Sequence, residues 1–340
     1  MDLIVVTRDG LYCPAGGFHI DPWRPVDRAV ITHAHGDHAR VGSNHYLASS
    51  ASAQVLRVRL GDVSLDTLPY GARLPQGDVT VSLHPAGHVL GAAQVRIEHR
   101  GEVWVVSGDY KLEHDPTCAP FDPVRCHTFV TESTFGLPIY CWGDPRDTIA
   151  NIASWWSDNA ANKRTSVLYC YAFGKAQRVL AGLQDEAALA IGPLACHGAM
   201  ISLNAAYRAA GVPIPDVPRA ADIPKTSLQC ALVLAPPSAS GTPWLRRFGD
   251  FSDGFASGWM QVRGARRRRA LDRGFVLSDH ADWPALNAAI EATEARRIVV
   301  THGQIATMVR WLSERGFQAE AFETEFADEG EPELAPEPGT

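Results

Sequence analysis

The stretch "ITHAHGDHAR", residues 31 to 40, confines this chain more than any other. It follows directly on the apolar run "RAVIT". His33 and His35 stand two apart, so on an extended backbone both imidazoles leave the same side. Asp37 and His38 are neighbours on the turn that follows and point to a different place. One short loop can therefore feed two adjacent divalent ions, two histidines for the first and a carboxylate with an imidazole for the second. Such nitrogen and oxygen donors suit zinc, with manganese or iron as alternatives. A chance histidine-rich turn has no need of this spacing.

Around that loop the texture of the chain changes twice. Up to about residue 135 it reads as short apolar strands broken by turns, among them "LIVVT", "AVITH", "HYLAS", "VTVSLH" and the pair "AQVRIEH" and "EVWVVSGD" joined by Arg100-Gly101. From Asp144 helices and strands alternate: a helix over 147–163, the strand "SVLYCYAF", a helix over 175–189, another over 199–211, then the strand "CALVLAP". Strand, helix, strand and helix follow again after residue 265. This order predicts an α/β protein in which a sandwich of sheets and outer helices, residues 1–143 and 264–325, is interrupted by an inserted α/β domain, residues 144–263. The acidic, proline-rich residues 326–340 read as a disordered tail.

Composition removes several classes of function. The seven cysteines are scattered and never form a Cys-x-x-Cys pair, which predicts reduced thiols and no cysteine zinc site. No apolar run is long enough to span a membrane and the N-terminus lacks a signal peptide, so a cytoplasmic location with no membrane partner is expected. The net charge of −7 offers no global attraction to nucleic acid. A polyanionic substrate would need a local basic patch.

The run "THAHGDH" resembles the signature of the metallo-β-lactamase fold, an αββα sandwich. That resemblance implies further ligands in a fixed order. "HPAGHVLGAAQV" supplies His88, and "VWVVSGDYK" supplies Asp109, which would bridge the two metals. Asp21 in "FHIDP" would orient the histidine loop from behind. His84 is the rival of His88, but Gly87 lets the backbone turn before His88, whereas His84 precedes Pro85 within a strand.

Three more stretches, "VTESTFG", "VLSDHADW" and "VVTHGQ", resemble the A, B and C motifs of the β-CASP nucleases, which carry an inserted domain between A and B. They supply Glu132, His280 and His302. With "YAFGKAQR" and the arginine-rich run before "GFVLSDHADW", the likeness narrows to the bacterial ligase-associated DNA exonucleases and covers residues 1 to 325. It implies that His302 completes the second metal's shell with Asp37 and His38. His280, held by Glu132, would protonate or stabilise the leaving oxygen. Asp37, Asp109, Glu132 and His280 are thus the expected catalytic residues. DNA that is single-stranded or has free ends is the implied substrate, and a DNA ligase and a helicase are the implied partners in repair. An RNA-processing nuclease of the same fold is the alternative, and a small-molecule metallohydrolase a more distant one.

Arg263, Arg266, Arg267, Arg268 and Arg269 in "RGARRRRALDR" would hold phosphates bidentately, the alternative being a solvated basic face. Lys175, with the amides at the start of its helix, is a further candidate for a phosphate contact.

Overall fold

A computed structural model describes residues 2–262, 264 and 271–325. The described residues divide into two compact units, 2–141 with 280–325, and those within 142–279. The second unit runs past the expected boundary at residue 263, for a reason given below. Arg263, Arg266, Arg267, Arg268, Arg269 and the tail 326–340 lie outside the described residues.

The first unit opens with a six-stranded sheet in chain order, β1 (Val5–Thr7), β2 (Gly10–Cys13), β3 (Phe18–Ile20), β4 (Arg28–Val30), β5 (His45–Ser49) and β6 (Leu65–Leu68). The first three strands are antiparallel and the last three follow in parallel. A second sheet then begins with the meander β7 (Arg73–Gln76), β8 (Val79–Pro85), β9 (Ala93–His99) and β10 (Glu102–Val106), after which β11 (Thr128–Ser133) pairs with β10 in parallel. Arg100 and Gly101 both take positive φ, 51° and 86°, the twist that a two-residue hairpin loop needs.

In the second unit β12 (Thr165–Tyr169), β13 (Leu194–Cys196), β14 (Leu232–Ala235), β15 (Phe251–Ala256) and β16 (Arg273–Phe275) form one wholly parallel sheet in the order β13-β14-β12-β15-β16. Strands β12, β13 and β14 are buried at every position, as parallel strands covered on both faces must be. Because β16 pairs with β15, the stretch up to Asp279 belongs to this unit. The helix expected over 175–189 is two, Lys175–Gly182 and Glu186–Leu189, since the Asp185 side chain accepts from Ala188 N and starts a new turn. Trp155 and Trp156 are core residues, their indole nitrogens donating to Ser252 Oγ and the Cys230 carbonyl.

The chain then returns to the second sheet with β17 (Arg297–Gly303) and β18 (Gln318–Ala321), giving the order β18-β17-β11-β10-β9-β8-β7. One apolar cluster joins the two sheets of the first unit. Leu11, Phe18, Ile20 and Val30 from the first meet Val81, Leu83, Val95, Ile97, Trp104, Val106, Val130 and Val299 from the second. The alternation in β8 and β9 sets the register, because a slip by one residue would turn these side chains to the other face.

Parallel strands β10, β11 and β17 end side by side, the usual place for a site in such sheets. Between β11 and β17 the register shifts, from Thr131 opposite Val300 to Ser133 opposite Gly303. Gly303 has φ +83°, and a Cβ there would lie 2.3 Å from the Ser133 main chain. Gly71 shares the positive φ, at +76°, but has nothing within 4 Å of an added Cβ. Gly71→Ala should therefore cost only the left-handed penalty of about 1–2 kcal/mol, and Gly303→Ala clearly more. Urea unfolding of both variants measures this, and equal losses would show that the close approach at Gly303 carries no energy.

Candidate metal centre

Asp109 stands at the centre of the residues brought together. It follows β10 by three positions and is buried. Gly108 before it has φ +58°, and a Cβ there would meet the Thr32 side chain at 2.7 Å, so only glycine lets the two loops close. Around its carboxylate lie His33 Nε2 at 3.3 Å, His38 Nε2 at 3.5 Å and His88 Nε2 at 3.7 Å from Oδ2, and His302 Nε2 at 3.1 Å from Oδ1. His35 Nδ1 faces His88 Nε2 at 3.0 Å. Asp37 Oδ2 is 3.5 Å from His38 Nε2.

Among the described residues, two groups of donor atoms lie close enough together to hold an ion. His33, His35, His88 and Asp109 form one and Asp109, Glu132 and His302 the other, the atoms of each within 4.8 Å of one another. Asp109 belongs to both. His84 stays on β8 with a ring nitrogen 3.0 Å from Ser82 Oγ, outside both groups.

Behind the donors a set of hydrogen bonds fixes which ring nitrogen carries the proton. Asp21, in a left-handed conformation at φ 43°, accepts from Thr32 N at 2.8 Å and from Thr32 Oγ1 at 2.6 Å, and faces His38 Nδ1 at 2.7 Å. Because the Thr32 hydroxyl gives its proton to Asp21, its oxygen is left to accept from His33 Nδ1, 3.0 Å away. Thr301 repeats the device. Its hydroxyl donates to the Thr131 carbonyl at 3.2 Å and lies 2.9 Å from His302 Nδ1. In all three histidines the Nδ1 side is tied down and Nε2 is turned toward Asp109. The buried His33 Nε2 has no hydrogen-bond partner among the described residues. An orphaned imidazole nitrogen beside a buried carboxylate fits a cation, and the mixed N/O donors fit a borderline divalent ion.

Without an ion, the electrostatics divide the histidines. Burial works against the charge on Asp109, yet the imidazoles of His38, His33 and His280 hold its carboxyl well below the usual range. Burial, followed by the charges of His280 and His33, drives His88 well below the ordinary histidine range, so its ring is neutral and can donate a lone pair. For His38 burial also opposes protonation, but Asp109, Asp37 and Asp21 raise it well above the ordinary value.

Beside the centre, His280 Nδ1 donates to Glu132, 2.9 Å from Oε2 and 3.1 Å from Oε1. Glu132 Oε1 also accepts from Tyr110 N at 2.8 Å. Lys175 belongs to the second unit. It is 3% exposed, with Nζ 2.7 Å from Asp279 Oδ2, while Arg178 Nη1 lies 3.7 Å from Oδ1. The sequence expectation for Lys175 was a phosphate contact; in the structure its ammonium is paired with a buried carboxylate. Sequence reasoning missed the roles of Thr32 and Thr301. The signal was present in the repeated Thr-His pair that ends two apolar strands, "VITH" and "VVTH".

No family model matches the chain. It is 30% identical over 314 residues to a "probable DNA ligase" of Opitutus terrae, an alignment that takes in 91% of this chain and 30% of the ligase. The chain thus spans less than a third of that relative's length. It is also 28% identical over 124 residues to the endoribonuclease YSH1 of Kluyveromyces lactis, covering 36% of this chain and 16% of the relative. The endoribonuclease ysh1 of Emericella nidulans is 34% identical over 77 residues, 22% of this chain and 9% of that one. Among solved structures, a protein of unknown function from Enterococcus faecalis V583 shares the fold with a TM-score of 0.58 at 12% identity, over 88% of this chain and 79% of that one.

Thr301→Val, which removes one buried hydroxyl and little else, is expected to weaken metal binding by about 10–100-fold while leaving the unfolding transition nearly in place. Chelator competition on the metal-loaded protein gives the affinity. An unchanged affinity would end the assignment of Thr301 as the group that orients His302.

Proposed function

We propose that this chain is a two-metal phosphodiesterase that hydrolyses DNA, acting as an exonuclease in repair, on a metallo-β-lactamase sandwich with a β-CASP insert. The observation that carries the reading is Asp109, common to two donor groups, with a carboxylate-held histidine alongside; the second group has Glu132 where the family resemblance assigns Asp37 and His38. The similarity to a ligase over most of the chain favours DNA. The shorter similarity to YSH1 endoribonucleases favours a nuclease and keeps RNA as the second reading.

In this reading His33, His35 and His88 hold one ion, Asp37, His38 and His302 the other, and Asp109 serves both; zinc is the expected metal. When bound, the ions supply Lewis acidity and a water acidic enough to attack near neutral pH. Asp21, Thr32 and Thr301 keep the imidazoles in their donating tautomers. Glu132 accepts the Nδ1 proton of His280 and so fixes the ring, leaving His280 Nε2 placed to pass a proton to the leaving oxygen. Phosphate contacts are assigned to Arg263 and Arg266–Arg269 by sequence, and a cytoplasmic site of action alongside a ligase and helicase completes the proposal. Among the described residues no helix is long and apolar enough to cross a membrane.

Digestion of matched single-stranded DNA and RNA, labelled at either end, by metal-reconstituted protein and its His35→Ala variant tests the reading. Loss of DNA alone, dependent on metal and on His35, is the expected result. Cutting of RNA alone would replace it with the second reading, and cutting of neither would leave a small-molecule hydrolase. His280→Ala should keep its metal and lose about 10²–10⁴ in turnover. Arg267→Ala combined with Arg268→Ala should flatten the salt dependence of DNA binding by about 1.4 in log–log slope. An unchanged slope would remove those arginines from the binding surface.

A further inference from the structure

Lys111 is one of the largest fully buried side chains of the protein, and its ammonium is enclosed with a carboxylate. Nζ lies 3.0 Å from Asp115 Oδ2, with the two side chains 0% and 3% exposed. The other oxygen of Asp115 accepts from Thr117 N at 2.9 Å and from Thr117 Oγ1 at 2.6 Å. Burying an ion pair this completely costs desolvation on both partners, and a pair of apolar residues would serve stability as well or better. The pair therefore calls for an account beyond packing.

Its place supplies one. Residues 109–111 are the hub at which the separate parts of the candidate centre are hydrogen-bonded. Asp109 is the shared carboxylate. Tyr110 N donates to Glu132 Oε1 at 2.8 Å, and the Tyr110 carbonyl accepts from Ala281 N, next to His280, at 2.7 Å. Lys111 N donates to the Ala86 carbonyl at 3.0 Å, two residues before His88. Gly87, at φ +74°, comes so close that a Cβ would lie 2.1 Å from the Lys111 carbonyl oxygen. The loop that carries Asp115 closes over the same place, where Cys118 Sγ contacts the Gly87 carbonyl at 3.4 Å and Asp122 N donates to Pro85 O at 3.1 Å.

We propose that Lys111 is a positioning residue: through its buried pair with Asp115 it fixes the 109–111 hub and so sets Asp109, His88 and the Glu132–His280 pair in register for metal binding. The proposal rests on the metal reading above. It assigns the "DYK" sequence after the strand two jobs, a ligand and, two residues on, its latch.

The test uses full-length, metal-stripped protein titrated with Co²⁺, reading the visible absorption bands and the affinity by chelator competition, with thermal unfolding measured in parallel. Lys111→Met alone leaves a buried carboxylate unpaired and is expected to lower the unfolding midpoint. Lys111→Met combined with Asp115→Asn removes both charges. It is expected to unfold near the wild-type midpoint but to bind Co²⁺ about 10–100-fold more weakly, with altered bands. Wild-type affinity and bands in the paired variant would overturn the latch while leaving the metal reading intact. Absence of Co²⁺ binding by the wild type would overturn both. Should the paired variant fail to fold, Thr117→Val, which removes one hydrogen bond to Asp115, is judged by the same two criteria.

Discussion

A carboxylate held away from water is the constraint around which the first unit is organised. Asp109 is 2% exposed. An isolated anion in that position would cost several kcal/mol and would simply take up a proton. It stays ionised because imidazoles from three distant stretches of chain are pressed against it. Delivering them requires the ends of β4, β10 and β17 and the turn after β8 to meet at one point. The glycines at 87, 108 and 303 follow from it, each with positive φ where a side chain would strike a neighbouring segment.

The second tier of hydrogen bonds has a comparable logic. A histidine offers a cation one nitrogen, and the wrong tautomer offers a proton instead. Thr32 and Thr301 decide the question for His33 and His302, and Asp21 for His38. A threonine can do this only when its own proton is already committed, as both are here, to Asp21 and to the Thr131 carbonyl. The left-handed backbone at Asp21 places its two oxygens for that purpose, a local strain that the surrounding bonds hold in place.

How much of this could be read from the sequence depended on how far each signal travels along the chain. The loop from His33 to His38 was legible because its donors lie within six residues and behind an apolar strand. Glu132 and His280 are 148 positions apart, and only the likeness of their motifs to a known family suggested that they meet. The threonines escaped because nothing local distinguishes a buried Thr-His pair from any strand end. The ion pair of Lys175 was hidden for the converse reason: its partner Asp279 is remote in sequence. Strands were lost where polar residues hide burial, as in "FSDGFA", or where an edge strand is half exposed, as in β6 and β7. The helix break at Asp185 is a capping event that periodicity overrides.

The two buried lysines narrow where a polyanion can be attracted. Both spend their charge inside the fold, Lys111 on Asp115 and Lys175 on Asp279, so neither adds to the potential felt by an approaching phosphate. The chain as a whole carries −7, and its Asp and Glu outnumber its Lys and Arg. If the substrate is the polyanion proposed above, its attraction has a short-range source. Divalent ions at this centre would be one such source, since a neutral histidine ligand donates without cancelling charge while Asp37 and Asp109 would cancel only part of it. On that reading, histidine in place of carboxylate at this centre is an electrostatic choice as well as one of ligand type.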